Sequence, residues 1–371
     1  MRWSLYRLPL RGEFTTAHQA MTAREGVIVE LTTGDGLIGC GEIAPLPEFT
    51  GSDLSTAITA LAQFVGSLRG QTPTAALEMV ASALTKRTIP PATACGLEMA
   101  LLDALGQAQG IPISHMLPHA EPTQLVEMRA HVPVNAVIGA QSQEIAVQQA
   151  RQAVARGFSC LKLKVGRAAW TDLERVAAVR DAVGPGMQLR LDANASWDYA
   201  LAREVLTACA PLDVQYVEQP LPAADIDGMR RLRREASVPL AVDEALYDIE
   251  SARRLLAAQA ADVLIIKPQL AGGLRIGRQI VQLAAQSAVQ CVVTSTIESG
   301  IGVAGALHLV AASPEISLAC GLATLDMFVD DLILEELLLA DGRLTLPGGL
   351  GLGVHLDREA LHKFTYARGR L

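Results

Sequence analysis

Apolar and polar positions fall into two regimes along the 371-residue chain, and the clearer one covers residues 160–268. Five short apolar runs recur there: CLKLKVG (160–166), LRLDAN (189–194), VQYVEQP (214–220), PLAVDEA (239–245) and DVLIIKP (262–268). Each closes on charged or amide side chains. The segments between them, such as TDLERVAAVRDAV and ALAREVLTACA, carry helical periodicity. The charged ends advance by a regular step: 28 residues from Lys164 to Asp192, 26 to Glu218, 25 to Asp243 and 24 to Lys267. A strand, a loop and a helix together occupy about that length, which predicts a βα repeat around a parallel sheet. Apolar runs covered on both faces suit parallel strands.

The repeat extends in both directions. HVPVNAVIG (131–139) reads as the first strand, with its helix over 142–157, and CVVTSTIESGIG (291–302) and ISLACGLAT (316–324) read as the seventh and eighth strands. The N-terminal region follows another pattern. Residues 1–10 and 26–43 read as strands, with Gly34-Asp35-Gly36 as a hairpin turn. A loop rich in Pro, Gly and Ser (44–53) follows, then helical patterns over 53–68, 74–85 and 92–109, the last stopped by Gly110 and Pro112. The pattern predicts an α+β domain over 1–125, a barrel over 126–325 and a tail, 326–371, that returns to complete the first domain. Residues 118–128 are the expected linker. GGLGLGV (348–354) has no βαβ context, so it reads as turns rather than as a dinucleotide loop.

Composition narrows the function. No apolar run reaches the roughly 18–20 residues that span a bilayer, so no membrane partner is expected. MRWSLYRLPLRGEF lacks the apolar core of a signal peptide, which predicts a cytoplasmic protein. The formal charge of −8 lacks the basic footprint of nucleic-acid binding. The six cysteines are scattered without a CxxC pair, as suits small buried hydrophobes in a reducing compartment. A homo-oligomer is compatible with all of this.

In a barrel of this type, chemistry sits at the carboxyl ends of the strands. Asp192, Glu218 and Asp243 end three successive strands there, and such carboxylates repel one another unless a cation joins them. An all-oxygen set selects a hard ion, Mg²⁺ first, with Mn²⁺ as a substitute. Asn194 and Glu244, just beyond two of these acids, are placed to orient ligands or lysines. Lys162 and Lys164 are two apart and face the same side of their strand, while Lys267 ends the sixth strand across the mouth. Such a site can bind a small-molecule carboxylate, take its α-proton through a lysine and stabilise the anion that results. An ammonium near its ordinary pKa of about 10.4 is a poor base, so neighbouring cations and partial burial are expected to lower it.

The motifs KLK, DAN, VEQP, VDEA and IIKP, in this order and spacing, resemble the muconate-lactonizing subgroup of the enolase superfamily over nearly the whole chain. The resemblance implies an α/β fold, a modified TIM barrel of (β/α)₇β type with an N-terminal α+β capping domain. It implies Asp192, Glu218 and Asp243 as Mg²⁺ ligands, Lys164 and Lys267 as the acid/base pair, and Lys162 as an electrostatic helper. Three segments, REGVIVELTTGDGLIGCGEIAPLPEFTGSD, TSTIESGIGVAGALHLVAA and CGLATLDMFVDDL, resemble o-succinylbenzoate synthases. That implies dehydration of 2-succinyl-6-hydroxy-2,4-cyclohexadiene-1-carboxylate to 2-succinylbenzoate, with Lys164 as base and then acid. Lys267 would remain protonated on the opposite face in a cation–π contact. The backbone N–H groups of Ser299 and Gly300 would hold the succinyl carboxylate at a helix N-terminus. N-succinylamino acid racemases share both lysines. Dipeptide epimerases carry a DxD pattern after the eighth strand, where this chain reads GLATLDM with Asp326 alone, and muconate cycloisomerase finds no support in the loops. A non-catalytic barrel would be favoured by a missing ligand or lysine, and none is missing.

Overall fold

A computed structural model describes residues 1–15, 20–47, 52–117, 129–139, 142–166 and 168–370. The expected linker 118–128 and the middle of the 44–53 loop lie outside the described residues.

Three antiparallel strands open the chain: β1 (Arg2–Thr15), β2 (Ala20–Thr32) and β3 (Ile38–Ile43). The turn between β2 and β3 is closed by Thr33 N–H donating to Leu37 O at 2.9 Å, and Gly36 supplies its positive φ of 90°. β1 and β2 run longer than their apolar patterns, because pairing resumes past a register shift between Pro9 and Phe14. Helices α1 (Leu54–Phe64), α2 (Pro73–Thr85) and α3 (Pro91–Gln109) follow. Asp53 and Thr72 cap the first two, and Gly110 ends the third in the left-handed conformation. α3 lies directly on β3. A Cβ at Gly39 would stand 2.0 Å from Ala100 O, and one at Gly41 2.0 Å from Gly96 O. Glycines on that face of the strand are therefore the contact surface for the helix.

A short helix α4 (Ile113–Met116) leads toward the second body. Its seven parallel strands are β5 (Ala136–Ile138), β6 (Cys160–Lys164), β7 (Gln188–Asp192), β8 (Val214–Glu218), β9 (Leu240–Val242), β10 (Val263–Ile266) and β11 (Gln290–Val293), side by side in chain order. Helices α5 (Gln143–Ala155), α6 (Ala169–Val183), α7 (Tyr199–Cys209), α8 (Ile226–Glu235), α9 (Ile249–Ala258), the short α10 (Pro268–Ala271), α11 (Leu274–Gln286) and α12 (Gly300–Ala311) connect and follow them. Side chains alternate along each strand. Tyr216, Ala241, Val263, Ile265 and Val292 make a small apolar cluster of their own, separate from the main core. The architecture is a (β/α)₇β-type barrel with a separate antiparallel sheet. Among the described residues no helix is long and apolar enough to cross a membrane, and all six cysteines are free and buried.

Two expectations need correction. The first strand is split: β4 (His131–Pro133) leaves the barrel and pairs antiparallel with β13 (Arg343–Thr345), itself paired with β12 (Leu339–Ala340). Pro133 has no N–H to continue a ladder, which favours a break there. The eighth strand is reduced to two bridges, Cys320 to Val134 and Gly321 to Thr294. Four backbone bonds make the closure, including Cys320 N–H to Pro133 O at 2.8 Å and Gly321 N–H to Val293 O at 2.9 Å. Arg190 reinforces it from inside. Fully buried, it donates to Ala319 O at 2.7 Å, Gln215 Oε1 at 2.7 Å and Asn135 Oδ1 at 3.3 Å, and its guanidinium lies 4.8 Å from the centre of the Tyr216 ring.

The C-terminal segment ends in helix α13 (Arg358–Phe364) and strand β14 (Thr365–Arg370), which adds to β1 at the edge of the N-terminal sheet.

Candidate active site

Strand register alone brings the charged ends together. Lys164 is paired with Asp192 across β6 and β7, and Asp192 with Glu218 across β7 and β8. Lys162 Nζ stands 2.9 Å from Asp192 Oδ2 and 2.7 Å from Glu218 Oε1, so one ammonium bridges two acids. Lys164 Nζ donates to Asp192 Oδ2 at 2.7 Å and to Asn194 Oδ1 at 3.0 Å. Lys267, immediately after β10, donates to Asp243 Oδ2 at 2.5 Å. The three carboxylates are at most 2% exposed, whereas the lysine side chains are 9–12% exposed, so the lysines are the more accessible members of the cluster.

The turns leaving β7 and β8 hold these groups in place. Asn194, Ala195 and Gln219 have φ of +44°, +58° and +38°, a sharp change of direction for L-residues right after the acids. Asn194 N–H donates to Asp192 Oδ1 at 3.1 Å, and its side-chain amide donates to Glu244 Oε1 at 3.1 Å. Asn194 is thus tied to Asp192 and to Lys164, and Glu244 is joined to them through Asn194.

Three contributors escaped the sequence reading. Gln219 Oε1 accepts the N–H groups of Asp243 and Ala245 at 3.0 and 3.4 Å. Arg175 donates to Lys164 O and to Asp172 Oδ1, and Asp172 Oδ2 accepts Gly166 N–H at 2.7 Å. Gln219 lies inside the VEQP motif, which was a signal. Asp172 and Arg175 look like surface charges of a helix, and only the fold turns them toward Lys164.

Burial pushes Glu218 up to about 8, and the adjacent charge of Asp192 adds to it. Burial also pushes Glu244 up to about 7, with Asp243 and Asp192 adding to it. Burial would raise Asp192 too, but the ammoniums of Lys162 and Lys164 outweigh it and hold that carboxyl well below its usual range. For Lys162, burial opposes the charge, yet Asp192 and Glu218 prevail and raise it well above the ordinary lysine value. The expected lowering of lysines does not hold for Lys162 among these groups themselves. Added positive charge, or loss of negative charge from either acid, would oppose it.

Among the described residues no three acidic, His or Cys side chains stand ready-made around a cation position. Each of the three acids instead has an oxygen engaged by an ammonium. The donor set nevertheless fits a hard divalent ion: it is all oxygen, and Glu218 Oε2 and Asp243 Oδ1 are buried without a hydrogen-bond partner.

Ser299 and Gly300 do not fit the role expected of them. Ser299 N–H donates to Glu42 Oε1 at 3.0 Å and Gly300 N–H to Asp331 Oδ1 at 2.8 Å. Protein carboxylates already occupy these donors at the start of α12, and a substrate carboxylate would meet two acids there. Asp326 pairs with Arg156 at the surface, its side chain 62% exposed.

The family described as "Enolase C-terminal domain-like" matches residues 146–360, which contain all six of these lysines and acids. The chain belongs to the enolase superfamily. The N-terminal region, residues 2–104, matches the family described as "MenC, N-terminal domain". Among superfamily relatives, an o-succinylbenzoate synthase from Thermobifida fusca (strain YX) is 38% identical over 218 residues, 58% of this chain and 66% of that one. The crystal structure of an N-succinyl Arg/Lys racemase from Bacillus cereus ATCC 14579 superposes with a TM-score of 0.92 at 25% identity, covering 100% of this chain and 98% of that one. A dipeptide epimerase from Enterococcus faecalis V583, complexed with Mg and the dipeptide L-Leu-L-Tyr, gives a TM-score of 0.88 at 27% identity over 95% of this chain and 98% of that one. By name, these enolase-superfamily relatives are a synthase, a racemase and an epimerase on one scaffold.

Proposed function

We propose that this chain is an o-succinylbenzoate synthase, a lyase that removes water in the syn sense from 2-succinyl-6-hydroxy-2,4-cyclohexadiene-1-carboxylate to give 2-succinylbenzoate, a step toward menaquinone. The observation that carries the reading is the placement of two ammonium groups, Lys164 on Asp192 and Lys267 on Asp243, against one buried set of acids. The MenC-type N-terminal region and the Thermobifida fusca relative support the synthase over its sister activities.

A Mg²⁺ held by Asp192, Glu218 and Asp243, with Mn²⁺ as a substitute, supplies Lewis-acid stabilisation to a substrate carboxylate when bound. Lys164, steadied by Asp192 and Asn194 and entering the reaction as the neutral amine, takes the proton from the carbon bearing the carboxylate and becomes the ammonium. It returns that proton to the departing hydroxide on the adjacent carbon. Water leaves, and the electron pair of the broken C–H bond completes the aromatic ring. Lys267 stays protonated on the opposite face and stabilises the delocalised anion. Lys162, between Asp192 and Glu218, helps hold Asp192 ionised and offsets part of the upward push that burial gives Glu218.

Racemisation of N-succinylamino acids is the second reading, favoured by the full-length superposition on the racemase. It uses the same two lysines as alternating acid and base. A paired assay with Mg²⁺ separates the two. One arm follows the cyclohexadiene carboxylate to its aromatic product, the other follows loss of optical rotation from N-succinylamino acids. Fast dehydration with slow racemisation is expected, and fast racemisation with negligible dehydration would move the function to racemase.

A further inference from the structure

Residues 42–44, at the end of β3, are bonded to two barrel loops at once. The Glu42 carboxylate is fully buried and accepts four hydrogen bonds. They come from the Tyr6 hydroxyl, from Ser299 N–H at 3.0 Å, from the Ser299 hydroxyl at 2.7 Å and from Gly302 N–H at 2.9 Å. Gln269, two residues beyond Lys267, donates to Glu42 O at 2.8 Å and accepts Ala44 N–H at 3.0 Å. Arg24 completes the set, donating to Ala44 O at 2.7 Å and to Thr296 O at 3.2 Å.

The two loops reached this way follow β10 and β11, and both flank Lys267. Thr294 N–H donates to Ile266 O at 2.9 Å, one residue before that lysine. None of the bonds just described touches β6 or β7, where Lys162, Lys164 and Asp192 sit. The β11 loop also carries strain. Ile297, β-branched, has φ +64°, and is held there by Ser295 Oγ, which accepts its N–H at 2.9 Å.

We propose that Glu42 is a positioning residue for Lys267: its carboxylate locks the N-terminal sheet onto the β11 loop and, together with Gln269, fixes the backbone from which Lys267 enters the mouth. The proposal rests on the reading of Lys267 as an acid/base group. A carboxylate is needed at position 42 because each oxygen accepts two donors. A glutamine of the same shape would turn its NH₂ group toward a backbone N–H, of Ser299 or of Gly302, whichever way its amide lay, and a buried donor without an acceptor is costly. The negative charge also faces the positive end of α12.

The test is amide hydrogen exchange, read by mass spectrometry, on wild type, Glu42→Gln and Gln269→Ala, with kcat and KM for the cyclohexadiene carboxylate. Expected is exchange about tenfold faster in peptides covering 267–273 and 294–302 and within about twofold of wild type in 160–166 and 188–194, as for a local opening. Expected with it is a fall in kcat at near-constant KM. Exchange that rises evenly through the barrel in both variants, or does not rise in the two loops, overturns the proposal. If the loops loosen while Lys267→Ala retains full turnover, the acid/base reading of Lys267 fails and the positioning role falls with it, although the lock itself stands.

Discussion

Lys164 and Asp192 are register partners on adjacent parallel strands, and the lysine Nζ lies 2.7 Å from the aspartate Oδ2. The same oxygen lies 2.9 Å from Lys162. One buried carboxylate therefore balances two ammoniums, and it is also one of the proposed cation ligands.

Asp192→Asn removes that balance. Breaking a buried ion pair by neutralising one partner costs about 3–5 kcal/mol, because the other charge is left buried. A fall of that order in unfolding free energy is expected by denaturant titration, together with weaker Mg²⁺ binding by calorimetry. Unchanged stability and unchanged Mg²⁺ affinity would contradict the charge arrangement.

Arg190 is expected to act on stability. It is buried, it reaches the weak eighth segment at Ala319, and it makes its bonds beneath the acids rather than among them. Arg190→Met would lose bonds from a charged donor worth roughly 1.5–3 kcal/mol each. A drop of about 3 kcal/mol in unfolding free energy with kcat within about threefold is predicted. A large kcat loss at full stability would give Arg190 a different role.

His308 is buried in α12, accepts Ser114 N–H at Nδ1 and faces Leu352 O with Nε2 at 3.0 Å. Burial lowers its pKa to about 4. Between about 6.5, the unfolded value, and 4 the unfolded chain binds the extra proton, so the neutral histidine's contribution is present above pH 6.5 and lost as pH falls to 4. The contribution is about 3 kcal/mol. Unfolding measured across this window should show a steeper loss for wild type than for His308→Gln, and equal slopes would contradict the assignment.

Chelation of divalent ions should abolish turnover, and Mg²⁺ or Mn²⁺ should restore it. The orphaned oxygens of Glu218 and Asp243 motivate this expectation. Undiminished activity in excess chelator, with metal content checked by elemental analysis, would contradict it.

The repeat and its charged ends were readable in the sequence because local patterning makes them: alternation along a strand sends Lys162 and Lys164 to the same side, and the regular step sets the acids level with one another. Features that depend on a partner far along the chain were not readable. The apolar run 316–324 marked the eighth segment, but not that Cys320 and Gly321 would close the barrel with two bridges rather than a full strand. Ser299 and Gly300 look like a free helix N-terminus until β3 brings Glu42 against them and Asp331 arrives from the C-terminal segment. Gln219 sat within a recognised motif, yet its role in holding Asp243 N–H appears only once β8 and β9 lie side by side.

The most direct test of the account is single-turnover dehydration by Lys164→Ala, with circular dichroism to verify the fold and Lys267→Ala alongside. A positioned acid/base group contributes about 10²–10⁴-fold. The account predicts a loss of at least about 10³-fold for Lys164→Ala and a comparably severe loss for Lys267→Ala, both in folded protein. Near-wild-type turnover in folded Lys164→Ala would contradict it.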